Sequence, residues 1–485
     1  MIEGRNMSIR AYFKEQYGIE LQYPELPCVK TKANREVYMP MELLRTLPFQ
    51  DPKADVSSEM VRVAAVKPDQ RFRKLQNFIK TIIKQSPLVK AMGLRLASQD
   101  PITTNARILP TPSITGSRVP VDKGAWWPTP FRVPAFREVK YAIILFVSDV
   151  SELDKMKRGI DQAGQQLGLQ LVSGEEPRMI QPAQLSLYFK QLREKVSILS
   201  SSSFSSSSSF HLVKWDVKLA ICILPKSEPY YSDIKRACEF EEFLVTQCIK
   251  EGTLTKRNPW PNILLKINGK LGGVNWELNE IEGYWRKEIV MVVGADAFYR
   301  KNNTLPTKIL FYRDGVSEGQ FSSVVEKELS AMQRACTKLR PGYQPGFTFI
   351  IVQKRHHIRF LPTEGGLINV KPGTIVDTNI THSREFDFYL CSHQGIQGTS
   401  KPAHYHIIYD DNNLGANELQ LFSFYLSHVY MRCTRSVSYP APTYYAHLAA
   451  FRGRDWMKGA PNPERLLENN QFNILPEQKD LMFFL

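Results

Sequence analysis

From residue 138 onwards, short runs of apolar residues alternate with stretches in which apolar residues recur at helical spacing. The apolar runs predict buried strands at 141–147, 219–224, 288–293, 308–312, 347–352, 386–390 and 405–409. The helical spacing predicts helices at 157–167, 322–338, 417–433 and 444–454. Fully apolar strands that alternate with helices predict an α/β fold with parallel sheets covered on both faces.

The first part of the chain has a weaker pattern. Alternation at 19–23 predicts a strand, and helical spacing at 69–86 predicts a helix. The run at 101–120, rich in proline, threonine and serine, is typical of an extended spacer that packs on a surface. A serine tract at 197–210 predicts a flexible insertion, because serine buries too little apolar area to offset the entropy of ordering.

Composition narrows the class of protein and the kind of partner. The 485 residues are enough for more than one domain, and a hydrophobic content of 43% is enough for packed cores. A net charge of +15 favours a polyanionic partner, either nucleic acid or an anionic membrane face. No run reaches about 18 uninterrupted apolar residues, so we expect no membrane span. The seven scattered cysteines, without a C-x-x-C pair, fit a reducing compartment better than a disulfide framework.

Asp314 is a candidate for chemistry because it follows the predicted strand at 308–312 and precedes a glycine turn. A carboxylate at that place in an α/β sheet often binds a metal ion or takes part in catalysis. A lone aspartate at a strand end is, however, more often a turn or helix cap. The residues alone therefore leave both interpretations of Asp314 open.

Basic and aromatic side chains follow the strand at 219–224, where a helix is predicted to begin. The free N–H groups at such a helix start favour an anion. Tyr231 and Lys235 are four residues apart and share a helix face, and Lys266 and Lys270 have the same spacing. These donors and the aromatic ring predict a pocket for a terminal phosphate beside a stacked base. Any single lysine is more often a solvated surface charge.

Longer strings are more specific than these single positions. YRDGVSEGQF at 312–321 and VQKRHH at 352–357 resemble the PIWI domain of eukaryotic Argonaute proteins. The strings PYYSDIK, TQC and KINGKLGGVN, in that order, resemble the MID domain of the same family. The N-terminal stretch resembles the last part of a PAZ domain, so the resemblance covers nearly the whole chain.

The resemblance implies a multidomain α/β fold with four regions. They are the C-terminal part of PAZ at 1–48, a linker at 49–137, a parallel-sheet MID domain at 138–275 and a ribonuclease-H-like PIWI domain at 276–485. In the family PAZ is a small β-barrel that holds the 3′ end of a guide RNA, so a partial barrel is expected here. Tyr23 matches a PAZ position, although a core aromatic is the favoured role.

The resemblance also implies a guide-binding site. In the family a tyrosine stacks on the first guide base, while lysines, a glutamine and an arginine hold the 5′-phosphate. The matching residues here are Tyr231, Lys235, Gln247, Lys266, Lys270 and Arg452. The positions that contact the guide backbone in the family match Arg432, Arg435, Ser438 and Tyr444.

Family members that slice RNA use an Asp, Glu, Asp, His set that binds two divalent ions. Asp296, Asp314 and His447 match the first Asp, the second Asp and the His, both as catalytic residues and as ligands of Mg²⁺. Only 17 residues separate the two aspartates, and none of them is acidic. The segment that carries the glutamate in the family, with two strands and a helix, is therefore missing between 296 and 308.

We accordingly expect a guide-RNA-binding protein of RNA-mediated silencing, with a microRNA or siRNA guide, that lacks efficient slicing. The alternative is a metal-dependent endoribonuclease in which another acid replaces the glutamate, and a third possibility is a fragment that loads no RNA. The implied partners are a small guide RNA and a complementary target RNA. Tryptophan-containing silencing proteins also bind this family, but part of their surface falls in the missing segment. The implied location is the cytoplasm, with the nucleus as an alternative.

The histidines in the string SHQGIQGTSKPAHYH need a separate interpretation. His404 and His406 are two residues apart on a predicted strand, so both imidazoles should lie on one face. Together with His393 they could suggest a metal site. Structural or RNA-facing roles are favoured, and His356 and His357 are expected to contact the guide backbone.

Overall fold

The computed structural model describes residues 7–30, 38–45, 57–95, 97–98, 100–117, 120–149, 151–174, 176–194, 196–199, 211–214, 217–227, 230–241, 244–280, 290–292, 305–458 and 478–485. The chain divides into two compact units, Met1–Ala65 and Val66–Leu485. The first unit contains helices α1 (Ile9–Tyr17) and α2 (Ser57–Ala64). It also contains an antiparallel pair, β1 (Cys28–Lys30) and β2 (Tyr38–Pro40), which is consistent with the expected remnant of a barrel.

The strand predicted at 19–23 is wrong, because this segment forms no strand in the structure. Helix α1 ends at Gly18, whose left-handed conformation turns the chain. The carboxylate of Glu42 then accepts hydrogen bonds from the N–H groups of Gln22 and Tyr23, in place of a strand partner. Tyr23 is 56% exposed, so the expectation of a core aromatic is wrong as well.

The second unit consists of helices packed on two main sheets. Its helices are α3 (Pro68–Phe78), α4 (Pro87–Ala91), α5 (Leu153–Leu167), α6 (Leu185–Glu194), α7 (Tyr231–Arg236), α8 (Glu251–Leu254), α9 (Trp260–Lys270), α10 (Phe321–Val324), α11 (Ser330–Leu339), α12 (Ala416–Leu426) and α13 (Ala441–Met457). Single π-helical turns continue α3, α7 and α10, at Ile79–Ile83, Ala237–Glu241 and Val325–Leu329. Among the described residues, no helix combines the length and the apolar character that crossing a bilayer requires.

The described part of the second unit contains fourteen strands, of which seven coincide with the predicted apolar runs and seven were not predicted. The fourteen strands are β3 (Arg107–Ile108), β4 (Glu138–Leu145), β5 (Gln170–Ser173), β6 (Arg178–Met179), β7 (Val196–Leu199), β8 (His211–Lys214), β9 (Val217–Leu224), β10 (Val245–Lys250), β11 (Val290–Val292), β12 (Lys308–Asp314), β13 (Gly346–Gln353), β14 (Thr374–Val376), β15 (Asp387–Cys391) and β16 (Ala403–Asp410). Strands β7 and β8 form an antiparallel pair on either side of the serine tract.

The first main sheet is parallel, as the pattern predicts. Its order is β10-β9-β4-β5, with β6 paired to the far end of β4. The central strands β4 and β9 are buried almost along their whole length, because helices cover both faces. Helices α5 and α9 pack on one face, while α6 and α7 bury a second apolar cluster on the other.

The second main sheet has the order β11-β12-β13-β16-β15-β14-β3. Strands β11, β12 and β13 are parallel, and the others pair antiparallel. Strand β3 comes from the predicted linker, where its two residues within the proline-rich run gave no alternating pattern. Arg107 anchors it through hydrogen bonds to Asp377, Asn417 and Gln420. The spacer is therefore part of a sheet.

Most predicted helices are present, but the one predicted at 417–433 ends at Leu426. The hydroxyl of Ser427 donates a hydrogen bond to the carbonyl of Phe424 at 2.6 Å, and the ring of His428 bonds to the same carbonyl at 3.0 Å. These side chains compete with the next helical N–H for its acceptor, so the helix stops although the apolar spacing continues.

The contact between α5 and α9 gives a stability prediction. Gly159 lies where an added Cβ would overlap the indole ring of Trp260, which is itself buried. We expect Gly159→Ala to destabilise the fold by about 1–3 kcal/mol, because one helix must move away from the other. Thermal unfolding followed by circular dichroism measures the loss.

Gly453 in α13 is the matched control, since a Cβ there would meet nothing within 4 Å. Gly453→Ala should leave the melting temperature unchanged or raise it, because alanine favours a helix by roughly 1 kcal/mol over glycine. Equal melting temperatures for the Gly159→Ala variant and the wild type would show that α5 and α9 are not packed this closely.

Candidate functional site

Two buried lysines converge on one backbone carbonyl beside the first sheet. Lys235, in α7, donates from Nζ to the hydroxyl of Thr246 at 2.6 Å and to its carbonyl at 3.2 Å. Lys270, at the end of α9, donates to the same carbonyl at 3.0 Å and to Oε1 of Gln247 at 3.0 Å. The side chains of Lys235, Lys270 and Gln247 are all buried. The structure therefore brings together three of the predicted phosphate-binding residues.

Arg452 and Tyr231 complete this group from two other elements. Helix α13 packs on α7, and this contact places the guanidinium of Arg452 next to Tyr231. Nη2 of Arg452 donates to the hydroxyl of Tyr231 at 3.2 Å, and the guanidinium carbon lies 6.0 Å from the ring centroid. Nζ of Lys235 lies 5.7 Å from the same centroid. We call Tyr231, Lys235, Gln247, Lys270 and Arg452 the cationic pocket.

Glu239 is a member of this site that the sequence analysis missed. Its buried carboxylate is paired with the guanidinium of Arg452 and lies 3.6 Å from Nζ of Lys235. The indole N–H of Trp456 donates to its other oxygen at 2.8 Å. Lys235 and Glu239 are four residues apart, so the spacing of opposite charges was a signal that could have revealed the pair. One internal carboxylate thus partly neutralises three buried cations.

The pKa values show that positive charge is still in excess. Burial, followed by repulsion from Lys235 and Arg452, holds the pKa of Lys270 well below its usual value. Burial also acts to lower the pKa of Lys235, but the nearby Cys248 and Glu239 outweigh it and raise that pKa. An additional anion in the cationic pocket would favour the protonated form of Lys270.

Lys266 lies one turn before Lys270 on α9 and has different neighbours. It is half-buried, and burial followed by repulsion from Arg432 lowers its pKa to about 8. Cys433 is the other group that acts on its charge. The structure therefore places Lys266 with Arg432 in a second basic group.

Three of the residues predicted to contact the guide backbone, Arg432, Arg435 and Ser438, lie on the segment that joins α12 to α13, and the fourth, Tyr444, lies near the start of α13. Ser438 and Tyr444 share a hydrogen bond between their hydroxyl oxygens at 2.8 Å. Tyr444 packs on Tyr430, with 5.0 Å between the ring centroids. Arg435 is exposed and Arg432 is half-buried. This segment presents charges and hydroxyl groups suited to a phosphodiester chain.

Two of the three predicted slicer residues lie in the described part of the chain. Asp314 ends β12, and its Oδ1 accepts a hydrogen bond from the N–H of Gly315 at 2.7 Å. Lys354 and Tyr439 are its electrostatic neighbours. His447 is exposed on α13, with its ring 4.5 Å from that of Phe451. Asp296 lies outside the described residues.

A magnesium ion requires several oxygen ligands around one point. Within the described ranges, the side chains that come together as a possible metal group are Asp387, His404 and His406, which include neither Asp314 nor His447. Among the described residues, Asp314 and His447 supply one carboxylate and one imidazole of the set that the resemblance implies. These two groups alone are too few ligands for two magnesium ions.

The histidines of β16 lie on the opposite face of the sheet from Asp314. Val352 pairs with both Asp314 and Tyr405, so the residues next to Tyr405 point the other way. The prediction that His404 and His406 share a face is confirmed by their rings, whose centroids are 3.9 Å apart.

The contacts of these histidines point to a structural role. His404 hydrogen-bonds to Oδ2 of Asp387 at 2.6 Å, and Oδ1 of Asp387 accepts from the N–H of His382. Burial lowers the pKa of His406 to about 4, so its imidazole is neutral. The Asp387–His404 pair is hydrogen-bonded, whereas both ring nitrogens of His406 are buried without a hydrogen-bond partner. His393 is also half-buried, and burial lowers its pKa to about 4.

The basic cluster after β13 is only partly available to a ligand. His356 bonds to the carbonyl of Pro402 at 2.9 Å, whereas His357 and Arg355 are exposed. Lys354 lies 4.8 Å from the ring centroid of Tyr439, and burial lowers its pKa to about 8. For His357, which is exposed beside Arg355, contact with the guide backbone stays a prediction.

Three solved structures share this fold at low sequence identity. Kluyveromyces polysporus Argonaute with a guide RNA matches 100% of this chain at 21% identity and a TM-score of 0.73. Drosophila Piwi matches 100% of it at 19% identity and a TM-score of 0.71. Clostridium butyricum Argonaute, bound to a guide DNA and a target DNA, matches 82% at 14% identity and a TM-score of 0.57.

This chain spans 64%, 69% and 60% of the length of those three proteins, and at these identities the matches show the fold alone. The fold is that of Argonaute proteins, with a ribonuclease-H-like Piwi region. Sequence models give the family itself. The Piwi domain model matches residues 219–297 and 295–458, and the PAZ domain model matches residues 1–71. Because both models match in sequence and the fold agrees, this chain belongs to the Argonaute/Piwi family.

Proposed function

We propose that this chain binds the 5′-phosphate of a small guide RNA in the cationic pocket and acts in RNA-mediated silencing without cutting RNA itself. The observation that carries the proposal is the convergence of the buried Lys235 and Lys270 on one carbonyl, with Arg452 beside them. The related Kluyveromyces structure contains a guide RNA, and the Clostridium structure contains a guide DNA.

Charge explains why the ligand should be a terminal phosphate. Three buried cations face one buried carboxylate, that of Glu239, and buried charges without partners are costly. A terminal phosphate carries close to two negative charges near neutral pH, while a phosphodiester within a chain carries one. Tyr231 offers an aromatic face on which a terminal base can stack, as in other single-strand sites.

The basic surface outside the pocket suits the rest of a guide strand. Lys266 and Arg432 form one group, and Arg435 lies exposed three residues further along the chain. Contacts of this kind hold a backbone without reading its sequence, so the guide bases stay available to pair with a complementary target RNA. This activity implies a silencing protein that is located in the cytoplasm.

A second candidate function, metal-dependent cleavage of the target, rests on the position of Asp314 at the end of a buried parallel strand. Among the described residues, the possible metal group does not include Asp314, and the short connection from Asp296 contains no acidic residue. Two divalent ions need more negative charge than this to be held. Binding without slicing is therefore the function that the residues support better.

The direct test compares a short RNA that has a 5′-phosphate with the same RNA that has a 5′-hydroxyl. Wild-type protein should prefer the phosphate by about 30-fold or more, and Lys235→Met or Lys270→Met should remove most of this preference. Methionine keeps much of the side-chain volume while it removes the charge. Fluorescence anisotropy at fixed salt measures the affinities.

Lys338→Met is the matched control, because it removes the same charge from an exposed site on α11. Its preference for the phosphate should equal that of the wild type. If wild-type protein bound both RNAs equally, with a steep dependence on salt, only a basic surface would remain and the proposal would be wrong. That result would favour a fragment that cannot load a guide.

The lowered pKa of Lys270 makes phosphate binding dependent on pH. In the empty pocket this pKa is below its usual value, and a bound phosphate would raise it again. Binding should therefore take up protons over the pH range between the lowered pKa of the empty pocket and the higher pKa of the filled one, and the affinity should fall as the pH rises through that range. Calorimetry in two buffers that differ in ionisation enthalpy measures the uptake. Lys270→Met should take up fewer protons than the wild type, and an unchanged uptake would contradict the assignment to Lys270.

Target cleavage is tested with a protein that carries a guide and a complementary RNA. We expect no magnesium-dependent product above background, and the same result for Asp314→Asn, because the described residues do not form a site for two ions. Gel analysis of an end-labelled target measures this. A product at one fixed position, present with Mg²⁺ and lost in Asp314→Asn, would establish the endoribonuclease instead.

A further inference from the structure

Three thiols lie beside the cationic pocket and have no part in the proposed binding of phosphate. Cys222 is in β9, Cys248 is in β10, and Cys238 is in the π-helical turn that continues α7. Cys238 is buried, and its sulfur lies 3.3 Å from the hydroxyl of Thr246, so it has a structural partner. Cys222 and Cys248 lie next to one another on neighbouring strands.

Cys222 and Cys248 are direct neighbours in the parallel ladder of β9 and β10. Neighbouring strands are about 4.8 Å apart, which lies within the range of Cα separations that disulfides span. Each thiol is the group that most affects the pKa of the other. Both side chains point to the α7 face, so a small movement of the sulfurs would bring them into bonding contact.

The two thiols differ in access and in charge. Cys248 is half-buried, whereas Cys222 is buried, so a small oxidant would meet Cys248 first. The hydrogen bond from Cys222, followed by Lys235, Lys270 and Arg452, lowers the pKa of Cys248 to about 6 against the effect of burial. The same hydrogen bond and burial hold the pKa of Cys222 well above its usual value. Cys248 is thus the more acidic of the two thiols.

The charges around Cys248 come from every element that packs on it. Some of these groups stabilise a thiolate and others destabilise it. The groups that affect the pKa values of these thiols are Cys222, Lys235, Cys238, Glu239, Lys270 and Arg452. The cations among them are those of the cationic pocket. An anion in that pocket would therefore compete with the Cys248 thiolate for the same positive charges.

We propose that Cys248 and Cys222 are an oxidation-sensitive dithiol, in which Cys248 reacts with peroxide, Cys222 resolves the product, and an anion in the cationic pocket suppresses the reaction. Reactive cysteines of this kind combine thiolate character, access and a nearby resolving thiol. The protection by an anion rests on the proposed function, whereas the dithiol itself does not. The Cys222–Cys248 disulfide would thereby form when the cationic pocket is empty, and the thiols would stay reduced when an anion fills it.

The chemistry balances with hydrogen peroxide as the oxidant. The sulfur of Cys248 attacks one peroxide oxygen, the O–O bond breaks, and the other oxygen leaves as hydroxide and becomes water. Cys248 is then a sulfenic acid. The sulfur of Cys222 attacks it, an S–S bond forms, the S–O bond breaks, and the oxygen leaves as a second water with the thiol proton. Two thiols are oxidised and one peroxide is reduced.

The first experiment treats the reduced full chain with hydrogen peroxide and maps the products by mass spectrometry. The expected product is a disulfide that joins Cys222 to Cys248. In Cys222→Ala the disulfide should be replaced by a Cys248 sulfenic acid that dimedone traps, because the resolving thiol is gone. Oxidation that occurs at other cysteines while this pair stays reduced would overturn the proposal.

The pH profile of alkylation by iodoacetamide provides a readout in the wild-type chain. The midpoint for Cys248 should lie near its pKa of about 6. Cys336 and Cys433 are internal controls, because they are half-buried but burial raises their pKa values. Their alkylation should begin only at alkaline pH. A Cys248 profile that coincided with the controls would contradict a thiolate at this site.

Protection is measured at pH 7 with saturating RNA. An RNA with a 5′-phosphate should slow alkylation of Cys248 about tenfold, which requires its pKa to rise from about 6 to about 8, or access to be blocked. The 5′-hydroxyl RNA should protect less. Rapid oxidation without protection would support the dithiol and count against phosphate binding. Phosphate-selective RNA binding with an inert Cys248 would uphold the proposed function and overturn the dithiol.

Discussion

The buried carboxylate of Glu239 is the interaction on which the candidate site depends. Lys235 and Arg452 could not both be buried without a nearby negative charge, because the cost of desolvating two cations exceeds what neutral hydrogen bonds return. Glu239 supplies that charge and is 213 residues from Arg452 in the chain. It therefore ties the helix after β9 to α13, so the cationic pocket exists only when these distant segments fold together.

Positive charge contributes to two pKa shifts in this site. It adds to burial in lowering the pKa of Lys270, and it adds to the effect of Cys222 in lowering the pKa of the Cys248 thiol. Both effects indicate that the positive charges of the pocket are not fully balanced by the carboxylate of Glu239, so the pocket favours a further negative charge. A phosphate and a thiolate are two ways to meet this demand, and they draw on the same cations. Guide binding and thiol reactivity are for this reason expected to be opposed, through electrostatics alone and without a change of fold.

Local patterns predicted the elements, but distant partners decided the details of the site. The apolar runs of β4, β9 and β13 became central strands, and the spacing of Tyr231 and Lys235 did place them on one helix face. Arg452 was reached only by resemblance, because nothing in its local sequence links it to the other residues of the pocket. Strand β3 was missed because its partners lie more than 200 residues away. Glu239 was missed although Lys235 is only four residues away, and its other partner, Arg452, is 213 residues away. The error at Tyr23 has the same origin, in hydrogen bonds to Glu42.

Binding and cleavage make separate demands on this fold. The cationic pocket draws its residues from α7, β10, α9 and α13, and none of them lies between Asp296 and Lys308, where the family's glutamate segment is missing. A phosphate needs donors and positive charge, which this pocket has. A pair of divalent ions needs clustered carboxylates, and the half-buried ammonium of Lys354 stands next to Asp314. We therefore expect the missing glutamate segment to prevent cleavage, whereas the residues proposed for guide binding are still present.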